Sequence, residues 1–397
     1  MNYGKDLRNG AFVLRAFVYL IVFFSFFDLF SQLPIMSPFA LSLGATPFLT
    51  GLAVGMYSFS NTIGNVISGF MTDRRGPYLI LMIGLFASAI SLFLYAFAFD
   101  PISLLGIRFI HGFMEGLIVP AAFTYLANQA ETTKRGSSVA VSGAFVGMAA
   151  IIGPAYGGIL SAKTSTPFIL SVNGGAMLLL AISAFFVLRS FSIVQKNKEK
   201  SAKHFRVRHL FQNPGMVRAF AGAFFLMFSQ GVLALVLPLK VEALGFDSKT
   251  SGMLLSAFGV VAILIFLLPI NRVFDRVRPI VTLAFGISLM GLSLLLLSHI
   301  TDLSYLYAAM AIYGIGFAFL FPSINSLLID SSAPESRGKA YGYFYAFFSI
   351  GVVAGSSVIG ALDLGFRGAF LLTGVILLSV AIYILMGLRK KMISLTN

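Results

Sequence analysis

Long apolar runs, separated by short charged or turn-rich breaks, dominate this chain. Read between those breaks, the runs fall at 13–36, 49–70, 78–99, 102–127, 137–161, 167–189, 216–239, 250–271, 278–299, 303–328, 338–362 and 367–388. A helix needs about 20 apolar residues to cross the hydrocarbon core of a bilayer. Each run meets that length, so the pattern predicts an all-α membrane protein with twelve transmembrane helices. The first run is too long, and is followed by too many others, to be a cleaved signal peptide.

Composition agrees with the pattern. Of 397 residues, 58% are hydrophobic and 11% charged, against roughly 25% charged in soluble domains. The absence of cysteine excludes a disulfide framework, a thiolate metal site and a cysteine nucleophile together. Of the four histidines, His111 alone sits deep in an apolar run, while His204, His209 and His299 lie in or beside polar segments. No metal or cofactor is expected. An enzyme is disfavoured, because the chain has no Gly-rich phosphate loop followed by Lys-Ser/Thr, no zinc-helix His pair and no convincing nucleophile–base set. The lack of a nucleotide-binding domain argues against direct ATP drive.

The charge distribution orients the spans. With the N-terminus in the cytoplasm, 23 of the 28 Lys and Arg fall on cytoplasmic loops or span ends; Lys163, Lys240, Lys249 and Arg367 lie outside, and Arg108 lies within a span. The positive-inside rule therefore places both termini in the cytoplasm of a multi-pass cell-membrane protein. The net charge of +14 is answered by anionic lipid headgroups, so membrane lipid is an expected partner and nucleic acid is not. The basic stretch from Lys196 to Arg208 reads as a linker, dividing the chain into a six-helix bundle at 1–189, a cytoplasmic linker at 190–215 and a second bundle at 216–397. A monomer is expected.

The two bundles repeat. Asp73-Arg74 lies 202 residues before Asp275-Arg276, and the same offset pairs Gly112 with Gly314, Pro120 with Pro322, Arg135-Gly136 with Arg337-Gly338, Gly153 with Gly355 and Gly158 with Gly360. Two six-span halves in parallel repeat are the sequence sign of a transporter whose site lies between them near the bilayer midplane.

Three motifs carry a family resemblance. Gly69-Phe70-Met71-Thr72-Asp73-Arg74-Arg75-Gly76 resembles the cytoplasmic motif G-x-x-x-D-R-x-G of the major facilitator superfamily, with Pro77-Tyr78 where a basic pair usually follows. Arg108-x-x-His111-Gly112 resembles its R-x-x-Q-G motif, with His for Gln. Gly147, Gly153-Pro154 and Gly157-Gly158 resemble the span 5 motif ending in G-P-x-x-G-G of the twelve-span drug:proton antiporters. The resemblance covers nearly the whole chain, and by it the span 5 motif implies export rather than uptake. Physically, Asp73 is placed to face the N-terminus of span 11 and Arg337. With Arg74, Arg135, Asp275 and Arg276 it forms a set of gating candidates. The span 5 glycines permit close helix approach, and Pro154 removes a helical hydrogen bond.

Span 4 holds the costliest side chains. Arg108, His111 and Glu115 are spaced three and four apart and share one helix face. Asp28 is the other embedded carboxylate, with Gln32 one turn on. Ionisable groups at membrane depth mark pathways by default, so either carboxylate is a candidate proton carrier with Arg108 as partner, an Asp28–Arg108 or Glu115–Arg108 ion pair being the structural alternative. His111 adds an imidazole, the side chain type whose unperturbed pKa suits proton transfer. Four-residue spacing puts Tyr57, Asn61 and Asn65 on one face of span 2, and Tyr341 and Tyr345 on one face of span 11. The repeat offset carries Asp28 to Gln230, His111 to Tyr313 and Glu115 to Phe317. Gln230, Tyr313 and Asn325 are therefore the polar candidates of the second half. The expectation is a water-filled cavity with proton chemistry in the first half and a Phe-rich wall in the second, suited to an amphipathic or aromatic substrate.

The sequence thus points to a proton-coupled exporter of small amphipathic or aromatic molecules. The alternatives are an uptake symporter or facilitator for a sugar or metabolite, and a lipid or glycolipid flippase.

Overall fold

Every element among the described residues is helical. The computed structural model describes residues 3–129, 135–189, 211–267, 273–332 and 337–396, without the side chains of 3–14, 73, 125–129, 135–144, 266–267, 274–275, 337–339, 341–342 and 387–396. The basic linker from Lys196 to Arg208 lies outside the described residues, as do the side chains of Asp73, Arg135, Asp275, Arg337 and Tyr341.

The helices are α1 (Tyr3–Ser31), α2 (Met36–Ser42), α3 (Pro47–Arg75), α4 (Pro77–Leu94), α5 (Pro101–Gly116), α6 (Ile118–Gln129), α7 (Arg135–Ser161) and α8 (Thr166–Arg189). They continue as α9 (Pro214–Ala243), α10 (Ser248–Leu267), α11 (Val273–Arg276), α12 (Pro279–His299), α13 (Leu303–Ser331), α14 (Arg337–Leu362) and α15 (Gly365–Thr396). Nine of the described helical stretches are long and apolar enough to cross a membrane, or ten when the bent pair α1–α2 is taken as one span. Large apolar side chains such as Leu179, Phe186 and Tyr383 stand more than two-thirds exposed, which a lipid-facing surface tolerates and a soluble one rarely does.

Proline explains two departures from the apolar runs. The first run ends its helix at Ser31, and α2 leaves at 49° to it. Pro34 cannot donate to the ladder and disfavours helical conformation at Leu33. The fourth run is two helices, with α5 stopping at Gly116 and α6 resuming at Ile118. The ring of Pro120 would oppose the carbonyl of Gly116 four residues back.

Chain contacts divide the molecule into two compact units. One holds α1, α2, α3 from Met56 onward and α4 to α8; the other holds Thr46–Gly55, with the start of α3, and α9 to α15. In the first unit α1 packs on α7 and α4 on α8; in the second α9 packs on α14 and α12 on α15. The repeat also reaches the caps. Asp100 caps α5 by accepting from Ser103 N at 2.7 Å, and Asp302, 202 residues on, caps α13 by accepting from Ser304 N at 2.9 Å. Gly44 and Gly245 both stand at φ +83°. There the bonds Ala45 N to Ala40 O and Phe246 N to Val241 O, each 3.1 Å, close the same C-terminal motif in each unit, one that needs the left-handed conformation glycine adopts freely.

One buried cation belongs to this scaffold. Lys240, 5% exposed near the end of α9, donates to the carbonyls of Leu297 and Ile300 and stands 5.9 Å from the centre of the Phe370 ring. It thus satisfies carbonyls at the C-terminal end of α12, where a cation is favoured by the helix dipole. Lys240→Met keeps the apolar stem and removes the donor, so it is expected to cost about 1–3 kcal/mol. Thermal unfolding of the purified protein checks this, with Lys240→Arg expected to retain part of the loss.

Candidate functional site

The embedded polar residues of the first unit converge on Asp28. The carboxylate is 2% exposed. Its Oδ2 accepts from Gln32 Nε2 at 2.7 Å, one turn along α1, and its Oδ1 accepts from Asn173 Nδ2 at 2.9 Å, from α8. The Asn173 amide also donates to Ser31 Oγ at 3.0 Å, and that hydroxyl donates to the Asp28 carbonyl at 2.8 Å. From α5, His111 Nε2 stands 3.3 Å from Asp28 Oδ2, within ion-pair reach but off hydrogen-bond geometry.

Arg108 reaches the same cluster through an amide and an aromatic ring. Its Nη1 donates to Gln32 Oε1 at 2.5 Å, and its guanidinium lies 5.2 Å from the centre of the Tyr57 ring. Gln32 therefore sits between the cation and Asp28, bonded to both. His111 is boxed by aromatics: Tyr57 meets it edge-on at 5.2 Å, and Tyr95 Oη lies 3.2 Å from its Nδ1. The three-residue spacing of Arg108 and His111 aims both at α1, and their close approach to α3 depends on Gly112, where a methyl would overlap the Tyr57 carbonyl.

Glu115, one turn further along α5, is anchored separately. Its Oε2 accepts from Ser88 Oγ of α4 at 2.5 Å, while its Oε1 is buried without a hydrogen-bond partner. Asp28, Arg108, His111 and Glu115 are all at most 4% exposed. These ionisable groups thus lie inside helix packing, with Asp28 and His111 within reach of one another and Glu115 held apart on Ser88. Buried charges persist only when paired and hydrogen-bonded, and this arrangement supplies both for Asp28.

The remaining candidates are dispersed. Asn65 donates to Asn61 at 2.9 Å on a half-buried face of α3. In the second unit Tyr313 is fully buried, shares a 2.8 Å hydrogen bond with Ser229 and meets the Phe258 ring edge-on. Gln230 beside it is half-buried. Asn325 donates to its own helix at Phe321 O, 2.9 Å away, and Tyr345 is 54% exposed against Phe344. Arg74 and Arg276 are exposed.

On α7, Gly147 is half-buried, whereas Gly153, Pro154, Gly157 and Gly158 are buried. A methyl at Gly153 would press on Phe30, Ser31 and Phe27, and one at Gly157 on the Ser31 carbonyl. The motif therefore seats α7 on the stretch of α1 that carries Asp28. Aromatic packing is present in both units: Phe27 lies 5.7 Å from Phe23 and 5.0 Å from Tyr156, while Phe317 stacks on Phe321 at 5.8 Å and Phe224 on Phe228 at 5.9 Å.

Sequence reasoning missed Asn173, Ser31, Ser88 and Tyr95. The usable signal was an amide in the middle of an otherwise apolar run, since such groups need a partner in hydrocarbon.

The sequence profile described as Major Facilitator Superfamily matches residues 18–227 and 219–394. The chain is 26% identical over 353 residues to the multidrug resistance protein MdtG of Escherichia coli, covering 87% of this chain and 85% of that one. It is 25% identical over 341 residues to an uncharacterized MFS-type transporter of Methanocaldococcus jannaschii, covering 84% and 85%. Its fold matches the crystal structure of a bacterial homolog of the human lysosomal transporter Spinster with a TM-score of 0.78 at 14% identity, over 94% of this chain and 96% of that one. With profile matches in both halves and an ionisable network buried among its helices, the chain belongs to the major facilitator superfamily and is a multi-pass membrane transport protein, not an enzyme.

Proposed function

We propose that this protein is a proton-coupled exporter of small amphipathic or aromatic molecules, working by alternating access of two six-helix halves in the cell membrane with both termini in the cytoplasm. The observation that carries the reading is Asp28, a carboxylate buried at membrane depth with an imidazole 3.3 Å away. Such a group is costly unless it is used. Export is favoured by the seating of the antiporter-like glycines of α7 against the Asp28 segment, and by the likeness to a protein named for multidrug resistance. The aromatic rows of both units suit flat, apolar cargo.

In this mechanism Asp28 takes a proton when the site faces outside, as substrate leaves, and gives it up to the cytoplasm before the next substrate binds. Arg108 and His111 hold the charge balance of the pocket, and Glu115 is a second carboxylate poised on Ser88. Asp73, Arg74, Arg135, Asp275, Arg276 and Arg337 serve as the cytoplasmic gate. No cofactor takes part, and the working unit is a monomer.

The test is transport by the purified protein in proteoliposomes with an imposed pH gradient and a panel of aromatic cations and neutral amphiphiles. Substrate should move against the proton flow and accumulate on the acidic side. Transport indifferent to the gradient overturns the proton coupling, and accumulation with the proton overturns the exporter.

A further inference from the structure

The neighbours of Asp28 have a directional pattern that its role as proton site does not by itself require. Gln32 Oε1 faces Arg108, which has only donors, so the amide must turn its NH2 to Asp28. The Asn173 amide is fixed in the same sense. Ser31 Oγ spends its hydrogen on the Asp28 carbonyl and can only accept from Asn173, which leaves the NH2 on the carboxylate side. Each carboxylate oxygen therefore meets an amide N–H whose orientation a third group enforces.

We propose that Gln32 and Asn173 are the positioning residues of Asp28, two amide donors of fixed orientation aimed at its two carboxylate oxygens, with His111 the described neighbour able to turn from donor to acceptor. This rests on the reading of Asp28 as the proton site and goes beyond it by naming what links protonation to a change of shape. A proton added to Asp28 has no acceptor at Gln32 or Asn173 as they stand. It can be shared with His111 Nε2 only when the ring hydrogen is on Nδ1, where Tyr95 Oη accepts it. If instead Gln32 turns its carbonyl to the new O–H, it withdraws that carbonyl from Arg108. Either response moves a bond that spans two helices, α1 to α5 or α5 to the end of α4. The chemistry is transfer of one proton: an O–H bond forms on Asp28, and no other covalent bond changes beyond the tautomer of His111.

The charged and titratable groups around Asp28 are Arg108, His111 and Glu115 from α5, Tyr57 from α3, Tyr95 past the end of α4, and Tyr156 of α7, whose ring packs on Phe27. The α8 contact is the neutral Asn173.

The experiment is an infrared pH titration of the full-length protein in detergent, following the carboxylic C=O band that disappears in Asp28→Asn. Gln32→Met and Asn173→Leu each remove one donor and approximately preserve volume. Each is expected to move the midpoint of that band upward by about one to two pH units, the shift expected when a charged acceptor loses one hydrogen bond. The two variants break different helix contacts, so a folding defect in one leaves the other to decide, and far-ultraviolet circular dichroism identifies such a defect. Midpoints that stay put or fall in the folded variants overturn the clamp, even if Asp28→Asn abolishes gradient-driven transport. Gradient-driven transport surviving in Asp28→Asn overturns the proton-site reading instead, while the band midpoints still judge the clamp.

Discussion

Asp28→Asn is expected to reduce gradient-driven transport by about 100-fold, near the upper end of what a coupling free energy of 1–3 kcal/mol supplies, while exchange of substrate for substrate persists. The substitution removes a titratable group that α1, α5 and α8 all address. It is isosteric but not electrostatically equivalent. Both oxygens of Asp28 accept from amide N–H groups, so an Asn amide must point its own NH2 at one of them. A donor facing a donor in a buried site costs about 1–3 kcal/mol, and the variant should also melt at lower temperature. Glu115→Gln meets no such conflict, because its anchoring partner is a hydroxyl that can donate or accept. Counterflow and gradient-driven uptake in the same proteoliposomes separate loss of coupling from loss of binding. Wild-type-like accumulation by Asp28→Asn would remove Asp28 from the mechanism.

The sequence made the cast of this site legible but not its wiring. Asp28, Arg108, His111 and Glu115 stood out because a charge in an apolar run is expensive, and that expense can be read without coordinates. The partners were hidden for a physical reason. An amide such as Asn173 carries no charge and falls on no helix-face pattern with Asp28, from which it is 145 residues away in the chain. Gln32 was visible one turn on from Asp28, but its place between Arg108 and Asp28 depends on how α1 meets α5. Helix breaks were half legible: Pro34 and Pro120 were visible, but whether a proline kinks a span or divides it is decided by packing. The 202-residue offset survives in the paired caps at Asp100 and Asp302, while nine or ten of the described helical stretches are long and apolar enough to span a membrane.

That repeat also shows where the halves diverge. In the first unit α1 and α5 meet through Asp28 and His111; in the second the corresponding helices α9 and α13 meet through Ser229 and Tyr313, bonded at 2.8 Å. The same crossing is thus polar in both, with a carboxylate and an imidazole in the first and two hydroxyls in the second. A hydroxyl pair fixes the second unit without demanding a proton. On the proposed proton-coupled reading, this asymmetry favours the first half for the proton step.

The antiporter-like glycines supply the other large effect. Gly157→Val is expected to destabilise the protein by about 1–3 kcal/mol or more, the cost of forcing atoms into a filled interface. The obstacle is rigid, since a Cβ at Gly157 would overlap the carbonyl of Ser31 and press on that residue's backbone carbons. Rotamer change cannot relieve a clash with backbone, so α1 and α7 must separate. The separation falls where Ser31 Oγ supports the Asn173 amide and the Asp28 carbonyl, so gradient-driven transport should fall in whatever fraction of the protein still folds. Gly175→Ala on α8 is the matched control: a methyl there meets nothing within 4 Å, and Ala is about 0.5–1 kcal/mol better than Gly inside a helix. Thermal melting and gradient-driven uptake of the two variants decide the point. If Gly157→Val matches the control in both, α7 does not seat α1, and the link between the glycine motif and the proton site is lost.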